Sequence, residues 1–441
     1  MRFNTRLFAV IAIALSLCVT SSEAQKKATK KPPARPTKTQ PRPTTTQTPA
    51  IPPPPSPVVV DERQLYMNAA RTAWAFVERN YQPSTGLVRA HDTYQYVTVW
   101  DIASTLAATY SAHELGLVSD PVYKQRMQRA LTTLSTMGLF DGVAFNKMYD
   151  SRTGRMIDRR EEISSKGYGW SITDIGRLLT WLRIIAVNQP QFAPQATAIV
   201  RRMNVSRLIT PDGYLQGEDT DPRTGRVRSY PEGRMGYEQY AAAGLALWGH
   251  RAEKALDARV NAVPASVFGV SIIADRRGND RITSEPYIMM GLETGWYSPE
   301  LREQAWRVLA AQEARYKNTG MITMVSEDAL PDPPYYFYYY SLYREGKPFV
   351  VDAHSTLAAV DGPRWVSSKA AFAWHALLPT PYTMAALQAV QSSAIPGRGW
   401  GAGVYEGSLK PTGNASLNGS ALILEAAVYN LRGYPFLAAK L

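Results

Sequence analysis

Six stretches of this chain are apolar on every side of a helical wheel and rich in small residues. Six amphipathic stretches alternate with them. The first set covers residues 100–115, 170–187, 236–248, 284–293, 366–378 and 417–431; the second covers 65–80, 121–137, 192–203, 251–260, 299–316 and 381–390. A helix that is apolar all round must be buried all round, whereas an amphipathic one keeps a face for solvent. In 121–137, for example, Met127, Leu131 and Leu134 share a face that Lys124, Arg126, Gln128 and Arg129 avoid. Six such pairs predict an all-α chain, an (α/α)6 toroid of six helical hairpins with one ring inside another. Asp120-Pro121, Ser298-Pro299 and Thr380-Pro381 each read as a capping side chain before a proline in the first helical turn.

The connectors are asymmetric. Those leaving a buried stretch are short, such as 116–120 and 379–380. Those leading into one are long: 81–99, 138–169, 205–235, 261–283, 317–365 and 391–416. All six long loops therefore arrive at the same end of the inner ring and should build one elaborate face, where function concentrates. Three of them share a turn motif, Ser84-Thr85-Gly86, Arg152-Thr153-Gly154 and Arg223-Thr224-Gly225, read as hairpin turns with glycine at positive φ.

Charge separates a leader from a body. The 441 residues carry a net +12, but residues 1–60 hold nine Lys/Arg against one acid, leaving only +4 on the remainder. A nearly balanced body argues against nucleic acid as a partner. Arg2 and Arg6 precede an apolar run, 7–19, too short to span a bilayer, and Ser22-Glu23-Ala24 offers a cleavage site. The expectation is a signal peptide over 1–24, an exported periplasmic or extracellular protein, and no transmembrane helix in the mature chain. A lipoprotein reading of Leu15-Ser16-Leu17-Cys18 is weakened by the bulk of Leu17. Cys18 is the only cysteine, so the mature chain would have no disulfide or thiolate chemistry. From 25 to 60, 11 of 36 residues are proline, a composition for a flexible tether before the domain at 61–441. It is either a solubilising spacer, the preferred reading, or a cationic arm contacting an anionic cell envelope.

Carboxylates and aromatics recur together where long loops meet buried helices: Trp100-Asp101, Trp170 with Asp174, Tyr237-Glu238, Glu285 with Tyr287, and Tyr405-Glu406 beside Trp400. Aromatic faces stack on sugar rings, and a protonated and an ionised carboxyl can cut or form a glycosidic bond. Glu238 precedes Ala241-Ala242-Ala243 in a segment too apolar to hold a charge without purpose. Glu238 and Glu285 are accordingly the favoured catalytic pair, with Asp101, Asp174 and Glu406 as supporting acids. Trp100, Trp170, Tyr237, Tyr287, Trp400 and Tyr405 are candidate sugar-binding residues. Bland readings stand beside these. Ser171-Ile172-Thr173-Asp174 matches a capping box, Ser284-Glu285-Pro286 a capped and dipole-stabilised start, and Asp101 a first-turn acid. The aromatic run 335–340, with Tyr343, reads as half core and half surface, or as a sugar-binding wall or lyase base. Glu218, Asp219 and Asp221 read as an acidic hairpin rather than a calcium site. The five histidines (His91, His113, His250, His354, His375) lack zinc spacing, and no phosphate- or dinucleotide-binding motif is present, so neither metal nor cofactor is expected.

Several of these segments together resemble an uncharacterised bacterial family catalogued as domain of unknown function 3131. They are 81–88 (YQPSTGLV), 98–103 (TVWDIA), 112–117 (AHELGL), 169–179 (GWSITDIGRLL), 236–242 (GYEQYAA) and 399–407 (GWGAGVYEG). The resemblance implies an (α/α)6 toroid related to glucoamylase-like glucan-active enzymes and an association with envelope polysaccharide. It supplies no catalytic residues. The expectation is thus an exported glycoside hydrolase or transglycosylase acting on a glucan-like polysaccharide. The alternatives are a non-catalytic polysaccharide-binding or assembly protein, and a polysaccharide lyase.

Overall fold

A computed structural model describes residues 61–437 except 279, 334–335 and 355–357. The leader and tether expected over 1–60 lie outside the described residues. The helices are α1 (Glu62–Asn80), α2 (Val99–Glu114), α3 (Asp120–Thr136), α4 (Ile172–Asn188), α5 (Ala193–Arg201), α6 (Tyr237–Ala246), α7 (Glu253–Leu256), α8 (Glu285–Thr294), α9 (Pro299–Thr319), α10 (Ser368–Leu377), α11 (Pro381–Ala389) and α12 (Leu417–Arg432). The even-numbered helices are those expected to be buried. Their packing closes a cycle: α2 on α4, α4 on α6, α6 on α8, α8 on α10, α10 on α12, and α12 back on α2. The odd-numbered helices pack outside them, α1 against α12 and α2, α3 against α2, α5 against α4, α7 against α6, α9 against α8 and α11 against α10.

Small residues set how closely the inner helices approach. A β-carbon on Gly176 of α4 would lie 2.4 Å from the Ala241 Cα of α6, and one on Gly244 would lie 2.2 Å from the Gly176 carbonyl oxygen. The two backbones touch there because neither position carries a side chain. Ser298 and Thr380 cap α9 and α11 as expected, accepting from the Leu301 and Thr383 amides. Asp120 does not cap α3. It is the first helical residue, after Ser119, and its carboxylate pairs with Lys124 at 2.7 Å.

The chain is not purely helical, which corrects the all-α expectation. The long connectors carry short antiparallel hairpins, including Ala262–Val267 with Val270–Asp275 and a sheet of Glu327–Ala329, Phe337–Arg344, Lys347–Ala353 and Ala358–Ala359. Where helical periodicity stops, β-branched and aromatic residues pair locally into strands. The three glycines of the repeated turn do adopt positive φ, 77° at Gly86, 68° at Gly154 and 69° at Gly225. Asp150 and Asp221 hold two of these turns by accepting the backbone N–H groups of Arg152 and Thr153, and of Arg223 and Thr224. The expected outer helix over 251–260 shrinks to the single turn α7, the rest of that span being non-helical. Among the described residues no helix is long and apolar enough to cross a membrane.

Candidate active site

Every inner helix contributes a residue from its first two turns to one connected cluster. Trp100 of α2 donates through Nε1 to Asn418 Oδ1 of α12 at 3.1 Å, and its ring lies 6.0 Å from that of Tyr237 on α6. Arg177 of α4 lies over the Trp100 ring and donates to the same Asn418 oxygen at 2.7 Å. Asn418 Nδ2 donates to Glu285 of α8 at 2.6 Å, and Lys369 of α10 donates to the other Glu285 oxygen at 2.5 Å. The long loops thus do deliver the six inner-helix starts to a common face.

The favoured pair is not a pair here. Glu238 turns toward the Ala262–Asp275 hairpin, where Arg277 holds it and Asp275 together, one guanidinium N–H reaching Glu238 Oε1 at 3.1 Å. Glu285, fully buried, is ion-paired to Lys369, which also faces Asp328 at 3.5 Å. Glu406 is held bidentately by Arg315 at 2.8 Å and by the Tyr340 hydroxyl at 2.8 Å. Each of these three carboxylates has a cation of its own. Trp170, Tyr287 and Trp400 are buried; the indoles of Trp170 and Trp400 donate to backbone carbonyls of Gln216 and Ala69. Tyr405 donates to Asp332 at 2.5 Å. The strand Phe337–Arg344 buries Tyr338, Tyr339 and Tyr340, while Tyr336, Phe337 and Tyr343 are partly exposed, so the described part of the run is divided between core and surface.

Asp101 and Asp174 remain partly exposed, beside Trp100. Asp101 closes a capping box with Thr98, accepting its amide and hydroxyl at 2.9 Å, and burial pushes its carboxyl up against those bonds. At α4 the expected capping box is reworked. Ser171 accepts from the Asp174 amide at 3.3 Å and donates to Glu232, a loop residue, at 2.7 Å, with an Asp174 carboxyl oxygen 2.9 Å from the same hydroxyl, while the Ile172 amide is also taken by Glu232. Burial, reinforced by the neighbouring Glu232 charge, raises the Asp174 carboxyl to about 7.

A second titratable carboxyl was invisible in the sequence. Glu327, on the short strand Glu327–Ala329, is partly exposed, and burial with the nearby Glu285 raises it to about 8 against the pull of Arg234 and Lys369. The hydroxyl of Tyr237, itself 2% exposed, lies beside it and favours its ionised form as a hydrogen-bond donor. Carboxyl and hydroxyl form a neighbouring pair, and the tyrosine ring packs against Trp100. Glu232, Glu327, Arg177, Lys369 and Asn418 carried no local signal beyond being polar residues in or beside apolar stretches. Glu218, Asp219 and Asp221 are engaged by Arg207, by Lys147 and Arg159, and by Arg228, as an acidic hairpin would be. No cluster of three metal-ligating side chains occurs among the described residues.

Solved structures share this architecture. A putative glucoamylase from Bacteroides caccae aligns with a TM-score of 0.62 and 15% identity, over 84% of this chain and 94% of that one. An endo-β-1,2-glucanase from Chitinophaga pinensis, in complex with sophorotriose and glucose, aligns with a TM-score of 0.59 and 13% identity over 84% and 93%. A mutant endo-β-1,2-glucanase from Talaromyces funiculosus, in complex with β-1,2-glucan, aligns at 0.55 and 10% over 85% of both chains. At such identities the likeness is one of fold. No curated protein matches the sequence. The profile of the protein of unknown function family DUF3131 matches residues 68–433, nearly the whole described domain, and the chain belongs to that family.

Proposed function

We propose that the converging inner-helix starts form the active site of an exported glycoside hydrolase or transglycosylase acting on a glucan-like polysaccharide, set in an (α/α)6 toroid. The observation that carries this reading is Glu327. It is a carboxyl raised to about 8 by burial and the Glu285 charge, on a strand that brings it beside the hydroxyl of Tyr237, whose ring packs against Trp100. Such a group is suited to protonate a glycosidic oxygen, while a second carboxyl of lower affinity for protons, Asp174, acts as base or nucleophile. Trp100, partly exposed beside Asp174, is the candidate stacking surface. Glu285, Lys369 and Asn418 position this floor rather than touch substrate, and Asp101 holds the start of α2. The endo-β-1,2-glucanases of the same fold make β-1,2-glucan the first polymer to try.

The second reading, a polysaccharide-binding protein without turnover, draws support from the cations that neutralise Glu238, Glu285 and Glu406. Mass spectrometry of products from a panel of glucans separates the two. Shorter or re-linked oligosaccharides from the wild type, lost in Glu327→Gln and Asp174→Asn but kept in Glu238→Gln, are expected. Retained binding with no product from any polymer would turn the assignment to the binding protein.

A further inference from the structure

Most buried and half-buried cations on this face have carboxylates. Arg177 pairs with Glu425, Arg277 with Glu238 and Asp275, Arg315 with Glu406, Lys369 with Glu285, and Arg281 and Arg344 with Asp352. Arg234 has none within 4.0 Å among the described residues. Its guanidinium lies between two tyrosine rings, 5.2 Å from the centroid of Tyr237 and 4.4 Å from that of Tyr339, and donates to the Tyr339 hydroxyl at 3.0 Å. The side chain is partly exposed, and the carboxyl that faces it is Glu327. Two aromatic faces fix the orientation of the fork without consuming its charge. The imidazole of His354 packs on Tyr339 and adds no anion beside the guanidinium.

A half-buried, pre-oriented guanidinium with donors to spare is a receptor for a planar anion. It adjoins the ring of Tyr237, whose hydroxyl neighbours Glu327, so the anion would arrive on the same ligand that reaches Glu327. We propose that Arg234 is a specificity-determining residue that binds a carboxylate carried by the glycan, making the preferred substrate an acidic rather than a neutral polysaccharide. This rests on the reading of the face as a glycan site and adds the charge of the sugar bound there.

The test is equilibrium binding to the mature full chain, by calorimetry. The probes are a neutral β-1,2-glucan oligosaccharide, the same oligosaccharide oxidised at one C6 to the carboxylate, and free glucuronate. The expected result is at least tenfold tighter binding of the acidic oligosaccharide, with the advantage shrinking as salt is raised. In Arg234→Gln that ratio should fall to within about threefold, and in Arg234→Lys, which keeps charge but not the fork, it should fall part way. Equal affinity of the wild type for the two oligosaccharides would overturn the inference while leaving the glycan site standing. Binding of neither would overturn both. A ratio preserved in Arg234→Gln would overturn the role of Arg234, and wild-type binding of glucuronate as tight as that of the acidic oligosaccharide would reduce the site to a carboxylate trap with no glycan selectivity.

Discussion

At the scale of single residues, what decides a carboxyl's chemistry here is the cation it has or lacks. Asp174 and Glu327 lack a close one, and their affinities for protons rise to about 7 and about 8. If one works as base and the other as acid, turnover needs Asp174 ionised and Glu327 protonated, so kcat/KM should be bell-shaped with its maximum between about pH 7 and 8. Glu327→Gln should remove the alkaline limb in whatever activity survives, and a profile with limbs unchanged by that substitution would exclude Glu327 as the acid. Lys369→Met makes a complementary prediction about stability. It leaves the buried Glu285 charge unpaired and should cost about 3–5 kcal/mol in urea unfolding at neutral pH, with Lys369→Arg losing less. The neighbourhood of aromatics and acids was legible in Trp100-Asp101 and Tyr237-Glu238. The partners were not, because Arg277 lies 39 positions from Glu238, Lys369 84 from Glu285 and Arg315 91 from Glu406. No local pattern encodes a pairing over such distances, and Glu238, which seemed too buried to be idle, is buried because Arg277 accompanies it.

At the scale of elements, the α4–α6 contact shows how composition becomes distance. Gly176 and Gly244 face each other across it, each leaving room only for the opposing backbone. Gly176→Ala adds a methyl where no flexible side chain can yield, so the helices must separate. Overpacking of this kind should cost about 1–3 kcal/mol, outweighing the roughly 1 kcal/mol that alanine gains over glycine inside a helix. The check is chemical denaturation of Gly176→Ala, and a net stabilisation would mean that α4 and α6 can part freely. The consequence would reach the site, since Arg177, one residue on, bonds Asn418 and lies over Trp100. The helices themselves were readable because a 3.6-residue period and small-residue content survive in the sequence. The strands were not, since the pairing of Glu327–Ala329 with Phe337–Arg344 is set by what packs on the sheet rather than by a turn signal. That omission hid Glu327.

At the scale of the whole molecule, a closed cycle of inner helices creates an axis that no solvent reaches, and the chain places charges on it. Arg177, Glu293 and Glu425 are all 0% exposed. Burial raises the Glu293 carboxyl, but it accepts from Trp181 at 2.8 Å and from Tyr240 at 2.6 Å and faces the one guanidinium, which favours its ionised form over that of Glu425. Glu425 accepts from Arg177 at 3.2 Å and lies within hydrogen-bonding reach of the Glu293 carboxylate. One positive charge balances one negative charge, so a second anion on the axis would stand uncompensated in a medium that cannot screen it. Burial and the Glu293 charge accordingly push the Glu425 carboxyl well up. A carboxyl whose proton affinity is raised on folding binds more protons in the native than in the unfolded chain above the ordinary glutamate value of 4.5, so its contribution to stability falls as pH rises through that window. Glu425→Gln keeps the shape and the acceptor for Arg177 but has nothing to titrate. Between pH 5 and pH 8 the wild type should lose more unfolding free energy than Glu425→Gln, measured by urea denaturation at each pH. Parallel losses would mean that Glu425 shares its proton differently, with the axis neutralised at some other carboxyl such as Glu293.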